Sequence, residues 1–234
     1  MLKINTLVLM IFFIFSQATF AGSFGPRESR LIVEEGQSSS YRIDNSDPDT
    51  AWLVQAWVED ATEKRTDRFE AVPVTFRVEP SSVFTVRLLQ TGKLPDDRES
   101  LFWVVSNSIP GGSDKTQEKE EDKVSAKLSM AYRFKVPMIY RPASLKGTKS
   151  TPGSLKWTTD ANGKIKVYNP TRYVLQLHSI QVNGQTYQGN GISYIIQPMG
   201  SATLKANAKI NDRIQFGVVN DFGAVKEFTG TVNS

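Results

Sequence analysis

Beyond residue 22, apolar side chains recur at every second position far more often than at helical spacing, which predicts strands. In the first half the predicted strands are Arg30–Val33, Ala51–Val58, Val72–Val78, Val83–Leu89 and Leu101–Val105. Asp47-Pro48, Glu79-Pro80, Pro95-Asp96 and Pro110-Gly111-Gly112 separate them with turn chemistry. In the second half, Asn162-Gly163 joins Ser154–Thr159 to Lys164–Asn169, and Asn183-Gly184 joins Tyr173–Val182 to Gln185–Tyr187. Both dipeptides are hairpin signals, because both residues tolerate positive φ. Ile192–Ile196, Ser201–Leu204, Ile214–Val219 and Val225–Thr231 complete the set. Strands this closely spaced, with no convincing amphipathic helix, predict β-sandwiches. Between the two sets, Arg141–Gly153 (RPASLKGTKSTPG) loses apolar periodicity and reads as an interdomain linker. The expected division is a first domain over 22–144, a linker over 145–153 and a second domain over 154–234.

The longest alternation runs over residues 124–136. Val124, Ala126, Leu128, Met130, Tyr132, Phe134 and Val136 fall on one face, with Ser125, Lys127, Ser129, Ala131, Arg133 and Lys135 on the other. Before it, Gly111–Lys123 has no apolar anchor and predicts a mobile loop. Two readings of the strand stand open. It is an ordinary core strand, or an edge strand whose apolar row is offered to a partner by β-augmentation. Pro137 favours the edge, because a residue without an N–H fits badly inside a fully paired sheet.

The first residues change the picture of where the chain works. Lys3 precedes an unbroken apolar run of nine, Leu7–Phe15, and small residues stand at Thr19 and Ala21. That is the layout of a secretory signal peptide over residues 1–21. Cleavage after Ala21 fits best, and cleavage after Ala18 also fits. The run is half the length a bilayer span needs, about twenty residues.

Composition mainly excludes. None of the 234 residues is Cys, which removes disulfides, thiolate metal sites and a Cys nucleophile. One His removes multi-His metal sites, and that residue, His178, lies in a predicted strand where packing is the default. The net charge of +4 is spread among 24 acidic residues, so no nucleic-acid partner is required. Neither G-x-S-x-G, a P-loop nor H-E-x-x-H occurs. Glu118, Glu120, Glu121 and Asp122 form a solvated run rather than a paired acid–base site. Trp52, Trp57, Trp103 and Trp157 suit core or rim packing. The expectation is a non-enzyme without cofactor or metal.

Four segments in order then carry a resemblance: Pro95–Trp103 (PDDRESLFW), Ile139–Ala143 (IYRPA), Asn169-Pro170-Thr171 and Asn220-Asp221-Phe222-Gly223. Gln55-Ala56-Trp57, Val78-Glu79-Pro80 and the segment from Arg30 to Gly36 support them. Together the chain resembles the periplasmic pilus chaperones of the chaperone–usher pathway. The resemblance implies an all-β chain of two immunoglobulin-like β-sandwich domains in a boomerang arrangement. It implies a periplasmic chaperone, acting without ATP, that caps pilus or fimbrial subunits by donor-strand complementation and delivers them to an outer-membrane usher. Donor-strand complementation is a known instance of β-augmentation.

The resemblance also assigns residues. Leu128, Met130, Tyr132 and Phe134 match the donor row. Arg30 matches the cleft arginine that binds the subunit's terminal carboxylate, a task suited to a permanently charged bidentate fork. The family's cleft lysine is replaced by Pro137, and Lys135, two residues earlier on the same face, is the expected substitute. Glu99, Arg141 and Asp221 match an interdomain ion-pair network. The exposed row also allows free copies to cap themselves as a dimer. The rival readings are a structural pilin or adhesin subunit and a secreted carbohydrate-binding β-sandwich.

Overall fold

The computed structural model describes residues 22–111 and 130–233, which form two β-sandwiches. In the first, one sheet has the order β1 (Phe24–Pro26), β3 (Ser39–Asn45), β7 (Ser82–Gln90), β5 (Phe69–Val72). The facing sheet has the order β2 (Leu31–Glu34), β9 (Tyr132–Arg141), β8 (Ser100–Pro110), β4 (Trp52–Asp60), β6 (Thr75–Val78). In the second sandwich, β10 (Lys156–Thr159), β11 (Lys164–Tyr168) and β15 (Ser201–Asn207) form one sheet. The other has the order β13 (Gln185–Gln188), β12 (Leu175–Val182), β16 (Arg213–Val219), β17 (Val225–Thr231), with β14 (Ile195–Ile196) also on β12. The all-β, two-sandwich expectation holds.

Alternation builds each core. Tyr41, Ile43, Val54, Ala56, Val86 and Met138 point inward in the first sandwich, and Trp157, Ile165, Leu177, Ile180, Leu204 and Phe216 in the second. A third, smaller cluster joins the two: Leu101 and Ile139 from the outer face of the β9–β8 sheet pack with Val174 of the second domain. The connecting segment is docked rather than free. Leu145 is buried in the second core, and the Thr148 hydroxyl is hydrogen-bonded to the Tyr173 phenol.

The structure departs from the sequence pattern in instructive places. The predicted single strand Val72–Val78 is two strands in different sheets, β5 and β6. Pro73, between them, cannot donate to a ladder, and the chain crosses there from one sheet to the other. β8 runs five residues past Val105, through Ser106, Asn107 and Ser108 to Ile109 and Pro110, because these residues pair with β4 and the ladder needs no apolar alternation. β1 and β3 carry no clean apolar run. The Asn162-Gly163 turn is wider than a two-residue hairpin: Gly163 donates to the Asp160 carbonyl and alone takes positive φ. Asn183 and Gly184 both have positive φ, as their hairpin requires.

Gly230 exposes the tightness of the second core. A Cβ there would lie 2.7 Å from Trp157 Cδ1 and 2.8 Å from its Nε1. Gly230→Ala should therefore cost about 1–3 kcal/mol through overpacking. The expected result is a lower urea midpoint and lost amide protection in the second sandwich, with the first sandwich unchanged by hydrogen exchange.

Candidate functional site

One strand, β9, carries most of the candidate residues. It is antiparallel to β8 from Tyr132 to Tyr140, but its other neighbour, β2, covers only Met138 to Arg141. Among the described residues, the stretch from Tyr132 to Pro137 therefore has one open edge. The Glu35 amide donates to the Arg141 carbonyl at 2.9 Å, so Arg141 turns its backbone polar groups toward β2. Because these groups alternate sides along a strand, Lys135 and Arg133 turn theirs to the same, open side. Pro137 does so too. Its missing N–H would have pointed into open space, so the proline costs the sheet no internal hydrogen bond.

The core-facing row of β9 grades from exposed to buried. Met130, just before the strand, is 56% exposed and Tyr132 is 38% exposed, whereas Val136 and Met138 are buried. Phe134 is half-buried against Phe24, with ring centroids 6.0 Å apart. Phe24 stacks on Trp52 at 4.4 Å, and Trp52 meets Tyr132 at 5.2 Å. These aromatics seal the end of the first core and root the row. The expected strand over 124–136 thus begins at Tyr132 where it is described. Leu128, the rest of the alternation back to Val124 and the loop expected over Gly112–Lys123 lie outside the described residues.

The opposite row is pinned by a carboxylate. Glu59 of β4 has a side chain only 5% exposed, with Arg133 Nη2 at 2.8 Å and Lys135 Nζ at 3.2 Å. Trp57 Nε1 donates to Glu59 at 2.9 Å, and Glu63 meets Lys135 Nζ at 2.8 Å. Burial alone would raise the Glu59 pKa. Hydrogen bonds from Trp57 and Lys135, with the charges of Lys135 and Arg133, hold it below the ordinary carboxylate value instead. Lys135 is therefore not brought to Arg30, contrary to expectation. Its ammonium is held on the outer face of the sheet, also 5.1 Å from the Trp103 ring.

Arg30 precedes β2 and reaches into a cleft of about 250 Å³ between the sandwiches. Continuing the register Leu31↔Met138 by one residue sets it beside Pro137. Its Nη1 donates to the carbonyls of Val219, 3.3 Å, and Asn220, 3.2 Å, and Nη2 donates to the Gln176 side chain. Nε is buried without a partner. Every contact is to a neutral oxygen.

The cleft's acids are committed elsewhere. Arg141 Nε lies 2.6 Å from Glu99, and its Nη1 lies 2.8 Å from Asp221. Glu99, 1% exposed, also accepts the Val174 amide at 2.7 Å. The structure thus brings Glu99, Arg141 and Asp221 together across the two sandwiches. Burial raises the Glu99 pKa against the pull of Arg141. Burial also disfavours the Arg141 charge, but its two acids outweigh that and raise its pKa.

Glu59, Gln176 and Lys226 escaped the sequence reading, and Phe222 entered it only within the Asn220–Gly223 segment. Glu59 and Gln176 carry no motif. Phe222 is 95% exposed at the cleft lip, on a turn held by Asn220 Oδ1, which accepts the amides of Phe222 and Ala224. Lys226 also lines the cleft. His178 is exposed on β12, and among the described residues no group of three His, Asp or Glu could hold a metal ion. Trp52 and Trp157 are core residues, while Trp57 and Trp103 are half-buried on the outer sheet face.

Comparison with known proteins gives this geometry a context. Residues 23–146 match the family described as Pili and flagellar-assembly chaperone, PapD N-terminal domain, and residues 150–230 match Pili assembly chaperone PapD, C-terminal domain. The probable fimbrial chaperone LpfB of Escherichia coli O157:H7 is 29% identical over 97% of this chain and 96% of its own. The chaperone protein FocC of Escherichia coli is 29% identical over 93% of this chain and 92% of its own. Among solved structures, the complex of Salmonella enterica SafA pilin with the SafB chaperone matches with TM-score 0.74 and 27% identity, over 92% of this chain and 98% of that one. The Escherichia coli chaperone DraB matches with TM-score 0.72 and 25% identity, over 90% and 97%.

Glu59 sets a pH dependence. Its folded pKa is depressed, so its contribution is present above the ordinary value of 4.5 and is lost as pH falls through the lower folded value. The urea midpoint should drop on acidification below about pH 4.5, and Glu59→Gln should flatten that part of the curve while lowering stability near neutral pH. Parallel profiles for the two proteins would show that Glu59 is not the titrating group.

Proposed function

The chain belongs to the pili assembly chaperone family, and from that premise we propose that it caps pilus or fimbrial subunits in the periplasm by donor-strand complementation. The segment leading into β9 supplies the strand that an incomplete subunit sandwich lacks. Leu128, Met130 and Tyr132 insert into the subunit's apolar groove, with Phe134 as the root of the row. The backbone groups of Arg133 and Lys135 pair along the open edge. Arg30 receives the terminal carboxylate, and Glu99, Arg141 and Asp221 fix the angle between the domains. Residues 1–21 act as the export signal, and the capped subunit passes to an outer-membrane usher without ATP or any covalent step.

The observation that carries this reading is the pairing of an unpaired edge with an exposed apolar row on the same strand. Exposed edges and apolar rows invite aggregation, so their retention needs a partner that covers them. Arg30 supports it further as a cation whose partners are all neutral. Each large side chain buried in the groove contributes about 1.5–3 kcal/mol, less the cost of ordering the two chains.

Periplasmic co-purification with subunits encoded beside the chaperone tests the proposal. Met130→Asp should leave the fold intact, because Met130 precedes the strand, is exposed and belongs to no core cluster. It should lower recovery of a one-to-one complex by about tenfold, one lost side chain at the lower figure. Undiminished recovery would mean that the row is not inserted.

A further inference from the structure

We propose that the outer face of the β10–β11–β15 sheet is a lysine-built docking surface for an anionic phospholipid bilayer. Charge is divided unevenly along the chain. Residues 22–144 carry 17 Lys and Arg against 20 Asp and Glu, whereas residues 145–234 carry 10 against 4. Four of those ten meet on one sheet face. Alternation turns Trp157, Ile165 and Leu204 inward and Lys156, Lys164, Lys166 and Lys205 outward. None of the three strands contains an acid. Among the described residues, none of these lysines enters an ion pair. Asp160, in the turn between β10 and β11, spends its carboxylate on the amides of Asn162 and Lys164.

The register keeps the charges together without opposing them. Lys156 faces Tyr168, Lys166 lies between Thr158 and Thr203, and Lys164 faces Asn207. Like charges directly opposite would destabilise the sheet, and here each of these lysines has a neutral neighbour instead. Lys205 is fixed from the side. Its amide donates to the Gly191 carbonyl at 2.7 Å, and a Cβ at Gly191 would lie 2.3 Å from its Cδ. Lys164 and Lys166 stand about 6.5–7 Å apart along β11, and the neighbouring strands about 4.8 Å away. Both spacings fall inside the Debye length of about 8 Å at physiological salt, so the charges act as one field.

The chemistry of the face selects its occupant. Protein interfaces are rich in aromatic residues and Arg and poor in Lys. The outward side of these strands holds no Trp, Phe or Arg. Lysine is a compact, hydrated point charge on a flexible stem, which suits mobile headgroup phosphates. Each one near an anionic bilayer is worth about fivefold in affinity. Two exposed apolar side chains flank the face. Met199, 49% exposed, precedes β15, and Ile210, 55% exposed, follows it. The loop carrying Ile210 is joined to the β10–β11 turn, where the Ala208 amide donates to the Gly163 carbonyl. A headgroup layer takes up such side chains beside a basic face. The proposal is independent of subunit capping, and the export reading decides only which membrane the face meets.

The test is flotation of residues 22–234 with vesicles of phosphatidylglycerol and phosphatidylethanolamine, beside vesicles of phosphatidylcholine alone, at physiological salt. Wild type should float with the anionic vesicles only. Lys156→Gln with Lys164→Gln and Lys166→Gln should weaken that binding about a hundredfold, three charges at the figure above. The urea midpoint should not move, because all three side chains are exposed. Lys64→Gln with Arg87→Gln and Lys93→Gln, exposed on the first domain, removes the same charge and should leave binding nearly unchanged. Equal loss in the two variants would make net charge responsible rather than the face, and would refute the proposal. Wild type that ignores the anionic vesicles, or floats equally with both kinds, refutes it too. If it ignores them but binds polyglutamate through the same three lysines, the occupant is an acidic protein and the lipid assignment falls.

Discussion

The candidate site depends on the face alternation of β9, and a buried carboxylate holds that alternation. Side chains in a strand have a period of two, so a slip of one residue would exchange every inward and outward position. Glu59 binds Arg133 and Lys135, which stand two apart on the outer face. A slipped strand would place Phe134 there and leave Glu59 buried without a cation, at a cost of several kcal/mol. The charged row thereby specifies where the apolar row points. Removing water from Glu59 gains little stability in itself, but it makes the wrong register expensive, and the aromatic contacts of Phe24 and Trp52 reward the right one.

The cleft works by a division of charges. Arg141 takes both available acids and spends them on joining the sandwiches, where Glu99 also caps the Val174 amide. Arg30, a few residues away in space along the same β2–β9 pair, receives only neutral oxygens. One arginine is thus structural and satisfied, and the other is positioned but not neutralised. Burial disfavours the Arg30 charge, and the more distant Asp221 and Glu99 partly support it. Such a cation gains most from an incoming anion, because its desolvation has already been met by folding.

Both sandwiches were legible from alternation and turn chemistry, since half-buried strands must alternate and Asn-Gly must turn. The trio Glu99, Arg141 and Asp221 was legible only through ordered resemblance, because 42 and 80 residues separate Arg141 from its partners. What escaped was either backbone-driven or three-dimensional. The far end of β8 is held by ladder bonds, which leave no mark on side-chain pattern. Glu59 lies 74 residues from Arg133, and nothing in either segment announces the pair. Lys135 shows the same limit: its spacing from Pro137 suits the cleft, but its ammonium lies 3.2 Å from Glu59 and 2.8 Å from Glu63, partners that no local pattern announces.

Pro137 then ties the edge to the cleft. As a residue on the open side without an N–H, it ends the run of donors that Arg133 and Lys135 offer. A partner strand can pair as far as Lys135 and must then rely on something other than β9 donors. That point adjoins Arg30, which continues the register beside Pro137. A proline there separates two features of one strand: the open edge of β9 offers its donors only as far as Lys135, and the charge beside its end belongs to Arg30, whose own donors reach the second sandwich at Val219, Asn220 and Gln176.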